Sequence, residues 1–153
     1  MLSRKQFDIL SDSLKWGFFS DDLIIVLSRF TKTRKYQEEG KEQLFRAKDF
    51  FADAIKGHNW IEESSSCSNQ KSAYAFSQTV QVLSHIETSD KFVEYLNGLI
   101  KIIDSILNSR TVKDEDIERL IDFFTEYGKK QLQISEEIFD GETRYPLWQL
   151  NRA

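Results

Sequence analysis

Large apolar side chains recur along this chain at helical spacing, and nowhere do they alternate with polar ones over the length of a strand. That contrast constrains the fold more than any other feature. Phe92, Leu96, Leu99, Ile103 and Ile106 fall on one face of a helix, and Ile117, Leu120, Phe124, Tyr127, Ile134 and Ile138 repeat the pattern further on. Shorter stripes come earlier: Phe7, Leu10, Leu14; Leu23, Val26, Leu27, Phe30; Leu44, Phe51, Ile55; and Ala73, Phe76, Val80, Leu83. The class is all-α. Long helices with short connections pack side by side, so the expected architecture is an elongated antiparallel up-down bundle. Its four main helices are expected at about 4–16, 21–56, 69–109 with a kink near 88–90, and 112–139.

The helix ends carry local signals. Ser3 and Gln6 have the spacing of a capping box, with Leu2 and Phe7 placed as a hydrophobic staple, and Gly17 is a natural stop. Ser20 precedes Asp21 and Asp22, which suit the positive end of a helix, and Phe19 and Ile24 form a second staple. Gly57 ends the next stripe and opens a predicted loop over 57–68; a helix restarts near Asn69. Phe92 lies nine residues after Leu83, half a turn out of phase, so the chain kinks or breaks near Thr88 or Ser89. Thr111 and Asp114 resemble another capping box, and Gly141 is the expected end. Gly128, in mid-helix near the apolar face, predicts a close helix contact.

The stretch 31–43, TKTRKYQEEGKEQ, is polar but lacks clustered turn residues. Arg34–Glu38, Lys35–Glu39 and Glu42–Arg46 are opposite charges four apart, as on a solvated helix. It therefore reads as the wet middle of one helix over 21–56, with a break near Gly40 as the other reading.

One domain is the default for 153 residues, with 142–153 as a docked or flexible tail holding Trp148. At 40% apolar and 30% charged, with twelve Phe, the chain can build a core without a disulfide or metal. The longest apolar run, Leu23–Leu27, is far too short for a bilayer, and the first residues lack the pattern of a secretory signal. Cys67 is the only cysteine, which favours a cytoplasmic home.

Reactive constellations are scarce. His58 is placed in a loop and His85 near a helix end, and neither follows a Glu by three residues as in di-iron bundles. His58 and Glu62 are one helical turn apart, but further metal ligands are lacking. Cys67 has no adjacent base, Ser64–Ser66 lack the glycines of a nucleophile elbow, and no phosphate-cradling glycine motif occurs. The chain reads as a non-enzyme without cofactor or metal. An enzyme would need a cleft where acids and His85 converge.

Charge is segregated instead. Residues 28–48 hold seven basic side chains (Arg29, Lys32, Arg34, Lys35, Lys41, Arg46, Lys48) against three Glu, whereas 113–142 hold four basic against ten acidic. Three readings follow. The two helices neighbour each other and their fields match; or the basic helix meets a protein partner or a second copy; or it meets a phosphate backbone. Tyr36 alone offers a stacking surface there, and the net charge of −4 disfavours general nucleic-acid affinity. The candidate interaction surface is Arg29, Lys32, Arg34, Lys35, Tyr36, Lys41 and Lys48, with Trp148 of the tail. Trp16, Trp60 and Trp148 lie at ends and loops, where tryptophans cap cores or join interfaces. The expected function is protein association, with nucleic-acid contact as the alternative and no membrane insertion.

Overall fold

The computed structural model describes residues 15–34, 38, 40–64, 68–86 and 88–143, the side chains of 131–143 excepted. Among them are five helices and no strand: α1 (Ser20–Thr33), α2 (Lys41–Ser64), α3 (Gln70–Val82), α4 (Ser89–Leu107) and α5 (Asp114–Thr143). Lys15 and Trp16 are also helical and Gly17 is not, in keeping with the expected stop. The signals at Ser3, Gln6, Leu2 and Phe7 and the tail beyond Thr143 lie outside the described residues.

The expected continuous helix over 21–56 is broken, and the break falls near Gly40, as in the other reading. α1 stops at Thr33 because Arg34 turns left-handed, with φ 56°, and its N–H closes on Phe30 O at 2.7 Å. Gly40, at φ 84°, starts α2. A Cβ on Gly40 would lie 2.2 Å from Val26 Cγ2, so the chain has doubled back onto α1. The charge pairs that favoured a straight helix are worth only about 0.2–0.5 kcal/mol each. Burying Phe30 and Leu44 together returns roughly 1.5–3 kcal/mol per side chain, and the turn wins.

α2 also runs past its expected end. Gly57 is interior rather than a stop, and His58 is helical and buried rather than in a loop. A Cβ on Gly57 would stand 2.4 Å from Ser72 O and 2.9 Å from Phe76 Cβ, so the missing side chain serves a close crossing of α2 and α3. That closeness rotates α3 relative to expectation. Its buried face is Ser72, Ala75 and Thr79, small residues that fit the narrow gap, while Val80 is exposed. Asn69 caps α3 through its side chain, accepting from Ser72 N–H at 3.0 Å.

The half-turn phase change near residue 88 is a true break: Thr88 Oγ1 accepts from Lys91 N–H at 3.3 Å and caps α4. The expected α4 stripe is buried throughout, joined by Ile102. α5 begins at Asp114, three residues after the Thr111 of the expected capping box, and passes through Gly141. Ile117, Leu120, Phe124 and Tyr127 are buried as expected, and Phe123 with them.

α2 packs against α3 and α4, and α1 against α5. An aromatic cluster fills the centre. Phe18, in the short link before α1, stacks on Tyr127 at 4.4 Å and meets Phe50 and Phe124 edge-on at 5.2 and 5.3 Å. Phe51 stands edge-on to Phe123 at 5.0 Å. Such geometries add about 0.5–1.5 kcal/mol per pair beyond burial.

Candidate functional site

The basic residues of 28–48 split once the chain folds. Arg34 projects across to the start of α5, where it pairs with the Asp114 carboxylate and donates to Val112 O at 3.4 Å. Lys48 on α2 meets Asp104 on α4 at 2.5 Å, and Lys41 meets Glu38 at 3.4 Å. Arg46 donates through Nε to Gly17 O at 2.9 Å. Arg29 and Lys32 are exposed on α1. Lys35, Tyr36 and Trp148 lie outside the described residues. Part of the charge segregation is thus answered inside the molecule, where a basic hairpin faces carboxylates of α4 and α5. The pairs are about half exposed and are worth at most about 1 kcal/mol each.

Another surface was hidden in the sequence. Phe45, Asp49, Ala52, Lys56, Trp60 and Glu63 follow one another at three- and four-residue steps along α2, with Asn59 beside Trp60, and all are exposed or half-buried. Phe45 and Trp60 are each 42% exposed. They are separated by about 22 Å along the helix axis at 1.5 Å per residue. An outward face with an aromatic near each end and charges between them differs from isolated surface hydrophobics. The loop expected over 57–68 is helical as far as Ser64, and this puts Trp60 on a helical face with Phe45. The helix period, extended eight residues further, was the signal that could have shown it.

His58 organises the far end of α2. Its ring stacks on Phe92 at 5.6 Å and meets Phe76 edge-on at 5.9 Å. Nδ1 lies 3.0 Å from Asn59 Oδ1, and Nε2 is within hydrogen-bond reach of Ser89 Oγ. Ser89 Oγ–H donates to Glu62 Oε1 at 3.3 Å. The chain of contacts ties α2 to the first residue of α4. Ser89's hydroxyl proton is directed at a carboxylate, so the histidine is placed as a structural link.

His85 lines a groove of about 1,040 Å³ along α4 with Asp90, Glu94, Tyr95 and Arg119. Burial pushes the Tyr95 phenol up, opposed by Arg119 and aided by Asp122. Among the described residues, no hydrogen bond joins His85 to Asp90 or Glu94. Among the described residues no three His, Cys, Asp or Glu side chains gather as metal ligands. No described helix is long and apolar enough to cross a membrane.

Compared with models of protein families, with curated proteins and with solved structures, the chain matches none.

Proposed function

We propose that this protein is a non-enzymatic association module that docks through the outward face of α2 onto another protein or a second copy of itself. The single observation carrying this reading is the Phe45–Trp60 face. Aromatic side chains are the residues most enriched at the energetic centres of interfaces. The finer architecture belongs to the same proposal: an elongated antiparallel up-down bundle would present that face lengthwise. A cytoplasmic setting, in keeping with the single Cys67, is part of it too. Phosphate contact through Arg29, Lys32 and Lys35 has less support, since Arg34, Lys41 and Lys48 already face carboxylates.

Sedimentation velocity on the natively isolated protein tests the reading, alongside a Phe45→Ser, Trp60→Ser double variant. The expected result is a self-complex, or a stoichiometric protein complex, that the double variant loses while its melting temperature holds. A strict monomer with no stoichiometric protein partner overturns the proposal, as does a complex indifferent to both substitutions. Gel shifts over a salt series separate the alternative, for which affinity falls steeply as salt rises.

A further inference from the structure

The outward face of α2 is symmetric about its own middle. Its two aromatics stand equally far from that point, Phe45 seven residues before Ala52 and Trp60 seven after Asp53. Its two central charges do the same with opposite sign, Asp49 three residues before Ala52 and Lys56 three after Asp53. Reversing the helix about the midpoint therefore exchanges aromatic with aromatic and acid with base.

The central charges are also unspent. Asp49 and Lys56 are exposed, and among the described residues no ion pair or hydrogen bond engages either side chain. At the midpoint Ala52 is half-buried and carries a single methyl, while Asp53 is turned to Lys71 of α3 at 3.1 Å. Two helices approach most closely where the side chains at the contact are small.

We infer, on the docking role proposed for this face, that its occupant is a second copy of the chain, with the two α2 helices antiparallel across a two-fold axis at Ala52. Phe45 of each copy then covers Trp60 of the other, and Asp49 of each faces Lys56 of the other, so that every contact occurs twice. A parallel pair would set Asp49 against Asp49 and Lys56 against Lys56, and like charges oppose it. At the outer ends Glu63 meets Lys41 and Glu42 together, which neither favours nor opposes the register. One helix pair of this length is at the small end of specific interfaces, so self-association of roughly micromolar strength is expected.

Sedimentation velocity over a concentration series from nanomolar to high micromolar, on the parent and on charge variants, tests the register. Asp49→Lys and Lys56→Asp should each weaken self-association about tenfold, since symmetry turns two attractions into two repulsions. Both should keep the parent's melting temperature, because neither side chain has a partner within the chain. Mixed one to one, the two variants should bind each other as tightly as the parent binds itself, because both cross-pairs are again opposite in charge. The Asp49→Lys, Lys56→Asp double variant should also self-associate at parent strength. Crosslinking gives the direction: in a Cys67→Ser background, Ala52→Cys should form a disulfide-linked dimer on mild oxidation, whereas Glu63→Cys, roughly 30 Å from its copy, should not. The inference is overturned if the parent is a monomer throughout the series, if mixing the single variants restores nothing, or if both cysteine variants crosslink alike. A monomeric parent that holds a different protein through Phe45 and Trp60 overturns the second copy alone and leaves the docking face standing. A complex indifferent to Phe45→Ser and Trp60→Ser removes both.

Discussion

Gly57 of α2 and Ser72 of α3 meet backbone to backbone, so closely that a Cβ on the glycine would stand 2.4 Å from the serine carbonyl oxygen. Neither partner can yield cheaply, because the oxygen is main chain and Phe76 Cβ closes the other side at 2.9 Å. Gly57→Ala is therefore expected to destabilise the protein by about 2 kcal/mol, the overpacking cost less alanine's helix advantage of about 1 kcal/mol. In a chain of this size the melting temperature should fall by roughly 4–8 °C. Gly98 is the internal control. It is helical with nothing within 4 Å of its missing Cβ, so Gly98→Ala should stabilise by about 0.5–1 kcal/mol. Thermal melts followed by circular dichroism check both signs. Equal effects would remove the crossing as the reason for Gly57.

The same crossing separates what could be read from the sequence and what could not. The α4 face was legible residue by residue, because its buried positions are all large and a 3.6-residue period finds them. The α3 face was legible only in Leu83, which is buried, and Phe76, which packs against the core. Its other buried residues, Ser72, Ala75 and Thr79, are small or polar and are set by the nearness of α2, which depends on a glycine fifteen residues earlier in the chain. The break near Gly40, the second of the two readings of 31–43, ranks below continuity in the sequence for a related reason. A left-handed arginine carries no turn signature, and local charge pairs argued for continuity.

Of the candidate surface, the basic character of 28–48 was legible, but the destination of each charge was not. Arg34 and Lys48 look alike in sequence to Lys32. They differ because folding brings Asp114 and Asp104 within their reach.

Arg34 combines a favourable pair with an unfavourable backbone angle, and substitutions can separate the two. Arg34→Ala loses the contact with Asp114 and keeps a side chain at φ 56°, so it should destabilise. The expected loss is up to about 1 kcal/mol in low salt. Arg34→Gly loses the same contact but relieves a left-handed strain of about 1 kcal/mol, and should come out near neutral. Asp114→Asn should match the alanine variant, and in roughly 1 M salt, where the screening length is about 3 Å, its cost should shrink toward zero. Denaturant unfolding at two salt concentrations gives these comparisons. A glycine variant weaker than the alanine variant would contradict the backbone assignment.

His58 is held by two kinds of contact, and they also separate. His58→Phe keeps a ring between Phe76 and Phe92 while giving up the contacts to Ser89 and Asn59. Since Ser89 and Glu62 are exposed and can turn to water, the expected cost is about 1 kcal/mol. His58→Ala removes the ring as well and leaves a cavity between α2, α3 and α4, for an expected cost of about 3 kcal/mol. If the two variants are equally destabilised, the ring stack contributes little and the polar link to α4 is the main role.

Tyr127 makes the pH dependence of stability predictable in sign. Burial holds its phenol far above the ordinary value of 10.0, and the Tyr74 hydroxyl beside it acts in the same direction. Below pH 10 the phenol is neutral in both folded and unfolded chains, and its contribution is fully present. Above that point the unfolded chain releases a proton that the folded one keeps, so stability falls as pH rises toward the folded value. Tyr95 is shifted in the same direction and adds to the slope. Urea unfolding between pH 8 and 11 should therefore show an alkaline decline, and in Tyr127→Phe that decline should be shallower, although the variant starts lower for want of the contact with Tyr74. Absorbance titration at 295 nm provides the second measurement: the native protein should leave at least one tyrosine un-ionised until it unfolds. A native phenol titration complete by about pH 10.5 would mean that Tyr127 meets water, and that the aromatic centre formed by Phe18, Phe50 and Phe124 is open on that side.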